Sequence, residues 1–191
     1  MQIRKRLIPT LIAMLFCLLL VSGCDQKSAP NTTNPTAPST NQTDNVKSVV
    51  DKKVVLYRVP ADGTQYLLPE TKTIKVTDNN SVLATLKALV ETAPQDDTME
   101  NVFPKGTKVL GVTVENGLAT VNFNKEFTTR TDGEYTTVMM VNAVVNTLTQ
   151  YPNIKKVQFL SEGKKIIVLG QMDLEEPLSR NETFIKKNKQ I

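Results

Sequence analysis

Histidine is absent from this sequence, and so is tryptophan. Without imidazole there is no His-based triad, no ordinary general base near neutral pH and little basis for a zinc site. Aromatic residues make up only 5% of the chain, which speaks against a sugar pocket walled by exposed rings. Neither Gly-x-Ser-x-Gly nor the Asp-x-Asp-x-Asp-Gly spacing of a calcium loop occurs. The two cysteines, Cys17 and Cys24, are too few for a disulfide framework. A membrane-spanning helix needs roughly 20 apolar residues. The longest apolar run here, Leu7 to Val21, is shorter than that and contains Pro9 and Thr10.

That run follows Arg4, Lys5 and Arg6, with no acid before it. A basic start, a short apolar stretch and small residues ahead of a cut describe an export signal over residues 1–23; a short anchor that is never removed is the alternative. Val21, Ser22 and Gly23 before Cys24 resemble the bacterial lipobox. The resemblance implies that Cys24 takes a diacylglyceryl thioether and becomes the mature N-terminus. One acyl chain holds a membrane only marginally, so stable anchoring takes two or more. Loss of residues 1–23 removes those three cations, and 23 basic against 19 acidic residues becomes 20 (23 − 3) against 19. The sequence pI near 9.0 is thus largely a property of the signal, and no nucleic-acid partner is expected. Cys17 leaves with the signal and Cys24 is modified, so the mature chain holds no free thiol and no disulfide.

Residues 24–47 are a mixture of Pro, Thr, Asn and Ser with no hydrophobic period. Such a segment cannot bury apolar surface and is expected to be disordered. About 22 flexible residues span roughly 25 Å r.m.s., which makes this a tether. A folded domain is expected over 48–181 and a flexible tail over 182–191. Within the domain, Val54 to Val59 reads as a strand ended by a turn at Pro60–Gly63, and Gln65 to Val76 as an extended stretch broken or edged by Pro69. Asp78, Asn79 and Asn80 supply N-cap chemistry. The helix that follows carries Val82, Leu83, Leu86, Leu89, Val90 and Ala93 on one stripe and stops at Pro94. Residues 95–108 read as a loop. Val109 to Glu115 and Leu118 to Asn124 form a hairpin around Asn116-Gly117. Glu134 to Gln150 is rich in strand-favouring valine and threonine, but its length and lack of alternation predict a helix. Lys155 to Leu160 and Lys164 to Gly170 make a last hairpin around Ser161-Glu162-Gly163. The sum is an α+β domain, ββ-α-ββ-α-ββ, with two helices on one face of a mainly antiparallel sheet.

Three stretches carry a family resemblance: "FPKGTKVLGVTVENGLATVNFNKEF" from Phe103, "GEYTTVMMVNAVVNTLTQYPNIKKVQFLSEGK" from Gly133 and "MDLEEPLSRN" from Met172. With the preceding strands and helix, the sequence resembles the GerMN domain of bacterial sporulation and spore-germination lipoproteins over about 130 residues. Some relatives carry two tandem copies; one copy is seen here. The resemblance implies a non-enzymatic protein-contact domain outside the cytoplasmic membrane, with a fold similar to ring-building modules. It implies no catalytic residues and no cofactor. The expected partners are the membrane, through lipid on Cys24, and an envelope protein or a second copy of the chain. A lipoprotein that binds a small ligand or cell-wall glycan is the competing reading.

Candidate side chains each have a plain alternative. Asn122, Asn124 and Glu126 alternate along one strand face and its exit and could form a polar contact surface, or simply face solvent. Asp96, Asp97 and Glu100 lie in an acidic loop without calcium-loop spacing, and no metal site is expected. Glu134 suits a helix N-terminus. Met139 and Met140 suit a core. Ser161 and Lys164 have Ser-x-x-Lys spacing, but across a turn. The lysines of the tail could touch anionic lipid, or fray in solvent.

Overall fold

The computed structural model describes residues 48–77, 80–129 and 133–186. The signal, the lipobox with Cys24 and the tether lie outside the described residues, as do Asp78, Asn79, Thr131, Asp132 and the end of the tail.

The chain opens with β1 (Val49–Pro60) and β2 (Leu68–Thr77), paired antiparallel from Val49↔Thr77 to Arg58↔Leu68. Alternation places Leu56 and Arg58 with Glu70 and Ile74 on the buried face. Pro69 is tolerated because β2 is an edge strand, as its sequence suggests. The Tyr57 N–H opposite it points away from β2 and donates to Thr147 Oγ1 at 2.9 Å. In the stretch expected to be loop, β3 (Met99–Glu100) covers the other edge of β1 at Val59 and Pro60.

Helix α1 (Ser81–Glu91) buries Leu86, Leu89 and Val90 from the expected stripe. Asn80 holds the N-cap position, yet its side chain makes no capping hydrogen bond. Next come β4 (Val109–Glu115) and β5 (Leu118–Phe123), joined as expected by Asn116-Gly117 at φ 50° and 84°. Two successive left-handed residues match the twist of the flanking strands, which is why Asn-Gly is so strong a hairpin signal. A 3-10 turn, Lys125–Thr128, leads to α2 (Glu134–Leu148).

Helix α2 returns the chain to β6 (Lys156–Ser161), which lies parallel to β5 from Leu118↔Lys156 to Phe123↔Ser161. Eleven residues of α2 are buried, among them Met139, Met140, Val144 and Leu148. A helix buried on nearly all sides, Asn142, Asn146 and Thr147 included, sits inside a fold rather than on it. Both helices contact strands of both principal sheets, α1 through β1, β2 and β4 and α2 through β1 and β6.

The last expected hairpin is where sequence and structure part. Only β7 (Lys164–Lys165) pairs with β6, at Leu160 and Ser161. The chain then leaves. Val168–Leu169 (β8) pairs instead with Met172–Asp173 (β9), and Leu178–Ser179 (β10) takes the remaining edge of β6 at Val157 and Lys156. A continuous strand to Gly170 would have occupied the edge of β6 that β10 takes, and would have sent Ile166 and Leu169 to opposite faces, whereas both are buried. The class is α+β with two helices packed on mixed sheets: β2-β1-β3, β10-β6-β5-β4 with β7, and the small β8-β9 pair.

One core serves both sheets. Phe123 and Phe127 stack with centroids 4.0 Å apart, and Phe159 lies 6.4 and 6.1 Å from them. All three rings are buried, at about 1.5–3 kcal/mol each. The 3-10 turn is what delivers Phe127 to this stack.

Candidate interaction surface

Most conspicuous polar side chains in the interior serve the fold. Arg58 is 1% exposed and Glu70 4%, with Arg58 Nε donating to Glu70 Oε2 at 2.8 Å. The other guanidinium nitrogens donate to the carbonyls of Leu89 (2.5 Å) and Ala88 (3.1 Å), at the end of α1. The Ala88 carbonyl also accepts from the Thr92 hydroxyl at 2.6 Å, so a buried cation and a threonine together cap the negative end of the helix. Glu70 Oε1 in turn accepts the Gln95 N–H at 2.6 Å. No periodicity marks these two residues as partners, and the sequence reading passed over both.

Asn146, fully buried within α2, does the same for the C-terminal segment. Its Nδ2 donates to the Asn181 carbonyl and its Oδ1 accepts the Asn181 N–H, both at 2.9 Å. Arg180 adds a bond to the Asn146 carbonyl at 2.9 Å and stands 5.3 Å over the Tyr57 ring. An asparagine in mid-helix is the one sequence signal that could have revealed this clasp.

The residues named from sequence are distributed as follows. Asn122, Asn124 and Glu126 are half-buried. Asn122 Oδ1 accepts the Gly163 N–H at 2.9 Å, while Asn124 accepts from Lys108 N–H (2.8 Å) and donates to the Gly106 carbonyl (2.9 Å). Both amides thus brace neighbouring loops. Asp96 accepts the Thr98 N–H at 2.8 Å, and that bond holds its carboxyl below the usual carboxylate range; the Thr64 N–H does the same for Asp62 at 3.0 Å. Glu134 opens α2. Met139 and Met140 are core. Ser161 and Lys164 flank a turn with Glu162 at φ 48° and Gly163 at φ 79°. Burial pushes the Tyr135 phenol above its ordinary value, reinforced by the Glu100 and Asp62 charges, while its OH donates to the Thr64 carbonyl at 2.6 Å.

The surface that stands out is the segment leaving β7. Ile166 and Leu169 turn inward, whereas Ile167 is 46% and Val168 59% exposed. Lys164 and Lys165 stand exposed just before them. On one side this lip borders a groove of about 530 Å³ that reaches Thr128 and Glu162. On the other, Leu169, Gly170 and Gln171 face Thr129, Glu134 and Thr137 across a groove of about 480 Å³. Branched apolar side chains stand here beside cations and an open groove. Among the described residues no group of three metal-ligating acids or cysteines comes together.

The described domain is thus an α+β fold of two helices on mixed sheets, with an exposed apolar stretch beside two lysines. Residues 55–167 match the Germane family, described as sporulation and spore germination. The chain belongs to that family. It is 25% identical over 130 residues to the spore germination protein GerM of Bacillus subtilis strain 168, covering 66% of this chain and 36% of that protein. The chain therefore spans about a third of the curated relative's length. The solved first GerMN domain of the Bacillus subtilis sporulation protein GerM superposes with a TM-score of 0.57 at 23% identity, covering 68% of this chain and 98% of that one. The tandem GerMN domains of the same protein give 0.59 at 23%, covering 68% and 46%. These two likenesses establish the fold.

Proposed function

We infer that this chain is a lipid-anchored, extracytoplasmic and non-enzymatic assembly module that serves sporulation or spore germination at the cell envelope. The observation that carries the reading is the family match across 55–167, downstream of Val21-Ser22-Gly23-Cys24. The related spore germination protein supports the process. Acylated Cys24 holds the domain at the outer face of the cytoplasmic membrane, and the Lys164–Leu169 lip receives a protein partner, an envelope component or a second copy.

Two measurements test this. Cys24→Ala should abolish acylation and signal cleavage, with loss of membrane retention of the mature form; unchanged mass and partitioning would refute the anchor. A photo-crosslinker at Val168 should capture a discrete protein in sporulating cells, and its failure to capture any protein counts against the lip. The polar lining of the 480 Å³ groove, with Thr128, Thr129, Glu134 and Gln171, favours glycan binding as the competitor. A melting-temperature rise with purified wall fragments would select that reading.

A further inference from the structure

The described domain begins with the ribbon of β1 and β2, whose open end carries the first residues of the described chain. From Val49↔Thr77 to Lys53↔Thr73 the two strands run together, and Val49 to Lys53 are all exposed. Val49 and Val50 are each 55% exposed. Lys52 and Lys53 follow at once, and Lys52 Nζ lies 5.3 Å from the centroid of the Tyr151 ring. The acid on this tip, Asp51, is paired with Lys75 at 3.3 Å. Two bare valines, an excess of lysine and a neighbouring tyrosine are the chemistry of a membrane interface.

We propose that the tip of this ribbon seats on the anionic leaflet that carries the lipid on Cys24, with Val49 and Val50 entering the headgroup boundary and Lys52 and Lys53 meeting lipid phosphates. The proposal rests on the lipid-anchored reading. Three features select a membrane over a protein. The tip stands where the sequence expected to be a tether ends, about 22 residues or roughly 25 Å r.m.s. from the anchor. Its charge complements phosphate. A two-stranded tip with two valines is also too small to supply the roughly 800 Å² per partner of a stable protein interface. Weak intrinsic affinity suffices here, because the anchor keeps the local lipid concentration high. The result is a domain held in one orientation instead of swinging on its leash.

The test uses the full acylated chain, in which Val50→Cys supplies a thiol for an environment-sensitive dye. Reconstituted into vesicles of 30% phosphatidylglycerol in phosphatidylcholine, the dye should shift to the blue, and high salt should reverse the shift. In phosphatidylcholine alone it should not shift. Each lysine near such a surface is worth roughly fivefold, so adding Lys52→Glu and Lys53→Glu should lower the ratio of seated to free probe by about 25-fold or more. The same blue shift in both vesicle types, or none in either, overturns the proposal. So does a shift that requires added envelope protein. Mass spectrometry of the Cys24 peptide separates the two readings. An unacylated chain removes the anchor and the proposal with it, whereas an acylated chain with a silent probe removes only the ribbon contact.

Discussion

Arg58 and Glu70 face one another across β1 and β2, 2.8 Å apart and almost wholly buried. This pair joins the edge ribbon to the end of α1, because the same guanidinium holds the carbonyls of Ala88 and Leu89. Glu70→Ala leaves the cation without its counter-charge and should destabilise the domain by about 3–5 kcal/mol. Urea unfolding should give a lower midpoint at unchanged slope. Arg58→Met with Glu70→Leu should cost less than the sum of the two single changes.

Asn146→Ala removes both bonds to the backbone of Asn181. Two partly buried backbone groups then lose their partners, at the low end of about 1–3 kcal/mol each. Amide exchange at Asn181 and at β10 should accelerate before that of β5 and β6.

Gly170 combines φ +61° with close packing, since an added Cβ would lie 3.3 Å from Thr137 Oγ1. Gly170→Ala should therefore cost more than the roughly 1–2 kcal/mol of left-handed strain alone. Gly63→Ala supplies the comparison, with φ +73° and nothing within 4 Å of the added carbon. Equal melting-temperature losses in the two variants would refute the packing share.

The raised pKa of Tyr135 has burial as its first cause. A phenol raised on folding contributes stability that is complete below its unfolded value near 10 and is lost as pH rises through the folded value. Stability should fall above pH 10, and Tyr135→Phe should flatten part of that fall when both proteins are unfolded in urea across the range.

Ile167→Asp with Val168→Asp changes exposed residues, so stability should move by no more than about 0.5 kcal/mol. With the photo-crosslinker moved from Val168 to Lys165, capture of the proposed envelope partner should be lost. A stable double variant that still captures the partner would exclude the lip.

How far the fold could be read from sequence depended on whether a local rule was sufficient. Asn116-Gly117 required left-handed φ at both positions, so the β4–β5 hairpin was legible residue by residue. Helix α1 showed a stripe because one of its faces meets solvent. Helix α2 was harder to read, because it is enclosed by β1, β6 and α1 and rich in valine and threonine; its length and lack of strict alternation distinguished it from a strand. The Lys164–Gly170 stretch has the composition of one strand, yet β10 competes for the same edge of β6 and wins the part at Val157. Ile166 and Leu169 turn in, and Ile167 and Val168 remain outside.

By itself the sequence determined the class, the order of the main strands and helices, and the membership that three quoted stretches made visible, because these depend on periodicity and turn chemistry within a few residues. The signal and lipobox proposed for its first 24 residues lie outside the described structure. Tertiary structure alone decided that β5 and β6 lie parallel, that Arg58 and Glu70 close the end of α1, and that Asn146 clasps Asn181. Each of these joins groups far apart in the chain, and their pairing is set by burial: a buried polar group must find its partner wherever the packing brings one within 3 Å.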